Sequence, residues 1–166
     1  MHYVKYNDFF MLKLYLLFFG FTNVFFFSQI TAKVVGIKDG DTIVILEDGN
    51  KTKTLRLAEV DCPESGQPFG KNAKKFTSDC VFGKMIKYYE INYDRYGRTI
   101  AKVYFDDKYL SAEIIANGLG WWYEKYSKDY SLKKLQDNAK YNKIGLWQDK
   151  NAISPYEWRQ LNKVNF

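Results

Sequence analysis

Three short stretches carry the residues able to do chemistry: Asp39-Gly40-Asp41-Thr42, then Arg56-Leu57-Ala58-Glu59-Val60-Asp61-Cys62-Pro63-Glu64, then Asp94-Arg95-Tyr96-Gly97-Arg98. Carboxylates without accompanying histidines favour a hard, oxygen-loving cation over a soft transition metal. An arginine fork matches two oxygens of a phosphate at once. A further carboxylate, such as Glu64 three residues beyond Asp61, can take a proton from a water beside that cation. Together these groups could neutralise an anionic phosphodiester and activate the attacking water. Separately each stretch is weak. Asp-Gly is an ordinary turn dipeptide, and Asp-Arg-Tyr-Gly-Arg reads equally well as a charged hairpin tip.

The rest of the composition narrows the choice. The single histidine is His2, so removal of the amino-terminal segment leaves no histidine base, histidine metal ligand or Ser-His-Asp triad. Two cysteines, Cys62 and Cys80, are too few for a disulfide framework or a four-ligand zinc site. A bridge between them is open, although Cys80 falls on the apolar face of a helix, which favours a buried free thiol. At 46% hydrophobic and 19% aromatic the chain has the apolar content for a packed core. A net charge of +6 suits a polyanionic partner, and equally a soluble protein whose lysines only solvate it.

The elements that must position these groups follow from pattern. Residues 1–28 read as a signal peptide, or as an N-terminal anchor if uncleaved. Lys13 precedes the apolar Leu14–Phe21 and Val24–Phe27, a run shorter than the ~20 residues of a membrane span. Met11 is an alternative start, and such a leader implies a secreted or periplasmic protein. Residues 29–166 form one domain ending in a mixed tail from Asn151. Strands are expected over 33–37, 42–46 and 51–58, with an Asp-Gly hairpin signal at Asp48-Gly49. Alternation places Leu55 and Leu57 on one face and Arg56 on the other. The Cys62-Pro63 step then leaves Asp61 and Glu64 on an exposed turn at a strand end. A helix over 70–81 stops at Gly83, and strands follow over 85–93 and 98–105. A short helix is capped by Ser111 and ends at Asn117-Gly118; a last one is capped by Ser131 and stopped by Gly145. This order suggests an α+β protein, an OB-fold five-stranded β-barrel with about three helices, though other α+β arrangements share the pattern. Groups reaching into a wet cleft add little packing, so Arg56→Lys, Glu64→Gln and Arg98→Lys are expected to stay folded.

In this order, the three stretches resemble the staphylococcal (micrococcal) nuclease, or thermonuclease, family. Gly118-Leu119, Gly145-Leu146-Trp147 and Pro155-Tyr156-Glu157-Trp158-Arg159 extend the resemblance, which runs from about Thr31 to Arg159. The resemblance implies a Ca²⁺ ion held by Asp41, Asp61 and the backbone carbonyl of Cys62. It implies Glu64 as general base, Arg56 and Arg98 as phosphate-clamping arginines, and Arg95, Tyr96 and Tyr126 as substrate contacts. Glu124 stands where the family has an aromatic, with Tyr123 as a substitute beside it, and the loop from Glu64 to Phe69 is shorter than the family's. The implied activity is calcium-dependent cleavage of DNA and RNA at the 5′-side P–O bond, leaving 3′-phosphate ends. The implied enzyme is a monomer without a stable protein partner, membrane-associated only if its leader is retained. The alternative is an inactive nucleic-acid-binding module on the same fold, with Trp121 and Trp122 tracking a strand. That module has no need of Asp41, Arg56, Asp61, Glu64 and Arg98 all at once.

Overall fold

Alternating apolar residues build the barrel. The computed structural model describes residues 28–163, so the leader expected over residues 1–28 lies, but for Ser28, outside the described residues. Strands β1 (Ile30–Asp39), β2 (Thr42–Leu46) and β3 (Thr52–Leu57) form an antiparallel meander, with Val34, Ile43, Ile45, Leu55 and Leu57 turned into the core. After the two-residue β4 (Val60–Asp61) and helix α1 (Gly70–Val81), β5 (Met85–Tyr93) pairs with β1. Strand β6 (Thr99–Phe105) pairs with β5 and, in parallel, with β3 through Leu55–Leu57. The order β3-β2-β1-β5-β6 therefore closes on itself, which leaves these five strands without a free edge.

Short elements complete the shell. The two-residue β7 (Lys108–Tyr109) leads into α2 (Leu110–Ala116), whose Leu110, Ile114 and Ile115 are fully buried. Strand β8 (Trp121–Trp122) pairs with β4, and α3 (Tyr130–Tyr141) buries Leu132 and Ala139. A fourth helix, α4 (Pro155–Lys163), follows a 3₁₀ turn at Gly145–Gln148. Among the described residues no helix is long and apolar enough to cross a membrane.

The α+β barrel agrees with the sequence pattern, and the differences have physical causes. Strand β1 extends well beyond 33–37 because it has two partners: Ile30–Lys33 pair with β5 and Lys33–Asp39 with β2. Its polar end is held by pairing rather than by burial, and it carries Asp39 to the β1–β2 turn. Ser111 does not cap α2. It lies inside the helix, and its buried hydroxyl donates to the Ala58 carbonyl at 2.8 Å. Helix α3 is capped by Asp129, whose carboxylate accepts from the Ser131 amide at 2.9 Å and from its hydroxyl at 2.6 Å. Helix α3 ends at Tyr141, and Gly145 opens the 3₁₀ turn instead of stopping the helix. The tail adds a helix to the expected three. It starts at Pro155 behind a reciprocal box in which Glu157 accepts from the Ser154 amide and the Ser154 hydroxyl accepts from the Glu157 amide. Cys62 and Cys80 are both free thiols.

Gly40 is where the barrel, α1 and the segment after β4 meet. A Cβ there would stand 2.7 Å from the Ala73 Cβ and 2.8 Å from the Cys62 Cβ, and the Gly40 carbonyl accepts from the buried Thr77 hydroxyl at 2.6 Å. The turn between Asp39 and Asp41 thus has no room for a side chain. Gly40→Ala is expected to destabilise the fold by roughly 1–3 kcal/mol, the usual range for overpacking. Urea unfolding of the two proteins checks this, with an unchanged midpoint as the contrary result.

Candidate active site

Strand register gathers the site at one rim of the barrel. Asp39 stands opposite Thr42, Thr42 opposite Arg56, and Arg56 opposite Ile100 near the start of β6. Arg56 lies between the inward Leu55 and Leu57, so its side chain leaves the barrel wall on the outer face. The chain then doubles back over it. Glu59 adopts a left-handed φ of 67°, and its carboxylate accepts from Tyr109 at 2.9 Å and Ser127 at 3.0 Å while pairing with Lys102 at 3.0 Å. That reversal lays Val60 and Asp61 alongside the Arg56 guanidinium.

The result is a buried ion cluster. Arg56 Nη1 donates to the carbonyls of Leu57 (2.7 Å) and Val60 (2.8 Å), and Nη2 lies 2.9 Å from Asp61 Oδ1 and 3.0 Å from Asp41 Oδ2. The three side chains are only 12%, 7% and 8% exposed, respectively. Asp41 Oδ2 also accepts the Cys62 amide at 2.7 Å, and Oδ1 accepts from the Thr42 hydroxyl at 3.1 Å. Burial opposes the charge on Arg56, but Asp41 and then Asp61 outweigh it and raise the guanidinium above its ordinary pKa. Burial also lifts the Asp61 carboxyl, against the pull of Arg56 and Arg159. Asp39 accepts the Asp41 amide at 3.2 Å, and burial together with the Asp41 charge pushes its carboxyl up to about 6.

A second ring of groups is more exposed. The Glu64 carboxylate meets Arg159 Nη1 of α4 at 2.6 Å, and Arg159 Nη2 reaches Asp61 Oδ2 at 3.0 Å. Arg98 is aimed by Asp94, whose Oδ2 accepts from Nε at 2.6 Å, and its Nη1 lies 3.4 Å from the Thr42 hydroxyl. The Tyr96 ring sits 4.8 Å from the Arg95 guanidinium and 5.6 Å from that of Arg98, open to solvent. Tyr126, also exposed, packs edge-on against Tyr123 at 4.8 Å. Burial, with Asp61 adding, raises the Tyr123 hydroxyl above its ordinary pKa.

The structure therefore brings Asp41, Arg56, Asp61, Cys62 and Glu64 into one cluster and joins Arg98 to it through Thr42. Arg95 and Tyr96 flank Arg98, and Tyr126 is linked only through Tyr123. Sequence reasoning missed Asp39, whose signal was its place in the same turn, and Arg159. For Arg159 the signal was the Pro155–Arg159 run, but nothing in its spacing points back to Asp61. The expectation that Arg56 reaches into a wet cleft needs correction, because Arg56 is a buried partner of two carboxylates and two carbonyls.

The donor set suits a hard cation. Asp41, Asp61 and the Cys62 carbonyl offer only oxygen, and burial holds the Cys62 thiol well above its ordinary pKa, which disfavours thiolate ligation. Among the described residues no three His, Cys, Asp or Glu side chains gather as a metal cluster. The carboxylates of Asp41 and Asp61 face the Arg56 guanidinium, and those of Asp61 and Glu64 face that of Arg159.

Comparison with known proteins shows the family. The staphylococcal nuclease homologue family matches residues 54–149, a stretch that includes Arg56, Asp61, Glu64 and Arg98 and excludes Asp41 and Arg159. An uncharacterized endonuclease of Haemophilus influenzae is 43% identical over 135 residues, 81% of this chain and 76% of that protein. A micrococcal nuclease of Shigella flexneri is 35% identical over 147 residues, 82% of this chain and 84% of its own. A staphylococcal-like nuclease of Arabidopsis thaliana is 36% identical over 106 residues, a third (33%) of its length.

Removing Arg56 would strand two buried carboxylates. Arg56→Met is expected to lower folding stability at neutral pH by about 3–5 kcal/mol, the range for breaking a buried ion pair from one side. Denaturant unfolding tests this, and a loss below about 1 kcal/mol would mean that water reaches the pair.

Proposed function

This chain belongs to the staphylococcal nuclease family and is a nuclease, and from that membership we propose a calcium-dependent endonuclease that hydrolyses phosphodiester bonds of DNA and RNA and leaves 3′-phosphate ends. The observation that carries the reading is the convergence of Asp41, Arg56, Asp61 and Glu64 at one barrel rim, with Arg98 beyond Thr42. A binding module would gain nothing from burying like charges there.

Asp41, Asp61 and the Cys62 carbonyl would hold the ion. When bound, Ca²⁺ supplies Lewis-acid polarisation of a phosphate oxygen and a place for water. Glu64, on its half-exposed turn, takes the proton of the attacking water. Arg98, pre-aimed by Asp94, presents a planar fork to the phosphate, and Arg56 adds fixed positive charge from within the cluster. This charge is oriented before substrate arrives, so little reorganisation is needed as negative charge gathers on the phosphate oxygens. The exposed Arg95, Tyr96 and Tyr126 offer a cation and ring faces to neighbouring nucleotides. An open rim suits a polymer, which must lie across the site rather than enter it. We place the enzyme in the periplasm or outside the cell on the strength of the apolar run within residues 1–28.

Glu64→Gln keeps the side chain's shape and removes the base. Cleavage of plasmid and single-stranded DNA is expected to fall by ~10²–10⁴-fold with the melting temperature preserved. A folded Glu64→Gln protein that cuts at the parental rate would remove Glu64 from the mechanism. The ligand set makes its own demand: chelator should abolish cleavage, Ca²⁺ should restore it, and Mg²⁺, with its stricter octahedral shell, should restore it poorly. Full activity in chelator would overturn the metal assignment.

A further inference from the structure

Among the site carboxylates, Glu64 is the least fixed by the barrel. Asp41 is held by the Cys62 amide, the Thr42 hydroxyl and Arg56, and Asp61 by Arg56 and Arg159. Among the described residues, the one side chain bonded to the Glu64 carboxylate is Arg159. The Glu64 side chain is 39% exposed on a turn, where a free carboxylate samples several rotamers. A general base must stand within hydrogen-bond reach of one particular water, and usually a third group orients it.

Arg159 is placed to do that. It comes from α4, 95 residues later in the chain, and its two terminal nitrogens bridge two carboxylates: Nη1 to Glu64 at 2.6 Å and Nη2 to Asp61 at 3.0 Å. One planar group thus fixes the proposed base relative to a proposed metal ligand. A lysine, with a single point charge, could not set that relation. Burial opposes the charge on Arg159, but its bonds to Asp61 and Glu64 raise it above the ordinary guanidinium value.

A second, independent tie joins the same two segments. The buried Gln67 accepts the Glu64 amide at 3.2 Å through its side-chain oxygen and donates to the Ile153 carbonyl at 2.8 Å through its side-chain nitrogen. Pro155, at the start of α4, is buried as well. The tail therefore holds both the backbone and the carboxylate of Glu64. We propose that α4 is part of the active site and that Arg159 is a positioning residue, which keeps Glu64 aligned with Asp61 so that the base meets its water. This inference rests on the nuclease reading above.

The test uses the full chain as parent, Glu64→Gln, Arg159→Ala, Arg159→Lys and the double variant Glu64→Gln/Arg159→Ala, each checked by thermal melt. Steady-state kinetics on DNA and calorimetric Ca²⁺ binding are measured for all five. Arg159→Ala is expected to lose roughly 10- to 100-fold in kcat, as for other groups that orient a site residue, with KM nearly unchanged and Arg159→Lys recovering only part. In the Glu64→Gln background the same change should matter by no more than about twofold, because Arg159 acts through Glu64. Ca²⁺ affinity should not fall, because Arg159→Ala takes a positive charge away from the proposed ligand Asp61. Equal losses in both backgrounds, or a raised KM at constant kcat, would assign Arg159 to substrate binding or to stability and overturn the inference. Faster cleavage with tighter Ca²⁺ binding in Arg159→Ala would show that the arginine competes with the cation, and would overturn it too. Parental kinetics in Arg159→Ala beside a slow Glu64→Gln would refute the inference alone. A fast Glu64→Gln would refute the base assignment and the inference together.

Discussion

A single guanidinium nitrogen, Nη2 of Arg56, stands between the buried carboxylates of Asp41 and Asp61, and much of the architecture is needed to put it there. Two like charges cannot be buried side by side without compensation. Each partner reaches the contact by a different device. Asp41 follows the one residue small enough to let the β1–β2 turn pack onto Ala73 and Cys62. Arg56 is set by its register opposite Thr42. Asp61 returns through the left-handed Glu59, which is held in place by Lys102, Tyr109 and Ser127 from three later segments. Closure of the barrel between β3 and β6 locks the first two of these devices to the third.

Around the two central carboxylates the compensation is shared. Asp61 is bonded also to Arg159, whose other terminal nitrogen holds Glu64. Burial, and then the nearby Asp41, push the Asp39 carboxyl up to about 6. The sign follows directly: a carboxyl whose folded pKa lies above its unfolded value favours folding while protonated, so its contribution to stability declines as pH rises through that range.

Much of this was legible in the sequence, within definite limits. Alternation located the strands and put Arg56 on the face opposite Leu55 and Leu57, because a period of two survives in a one-sided barrel wall. Glycines and prolines marked most of the turns, since their backbone limits are local. Spacing could not show that the chain folds back over Arg56 and buries it, because that depends on a positive φ at a glutamate, a residue with no such preference. Nor could it separate Ser131 from Asp129 as the cap of α3, two good acceptors two residues apart. Arg159 was visible as part of a motif, but its contact with Glu64 spans 95 residues and leaves no periodic trace.

The short turn from Glu64 to Gly70 explains why a distant helix is recruited. A Cβ on Gly70 would meet the Glu64 carbonyl at 2.0 Å, and the Gln67 amide donates to that carbonyl at 2.9 Å. The turn is therefore drawn tight around the Glu64 backbone, leaving few residues whose side chains could fold back onto its carboxylate. Of the barrel arginines at the rim, Arg56 is committed to Asp41 and Asp61, and Arg98 to Asp94. The element that reaches Glu64 is α4, tied by Gln67 at its base and by Arg159 at the carboxylate. A helix bonded both to Glu64 and to the buried Asp61 carboxylate of the cluster is not an appendage on a finished domain but the last piece of the rim.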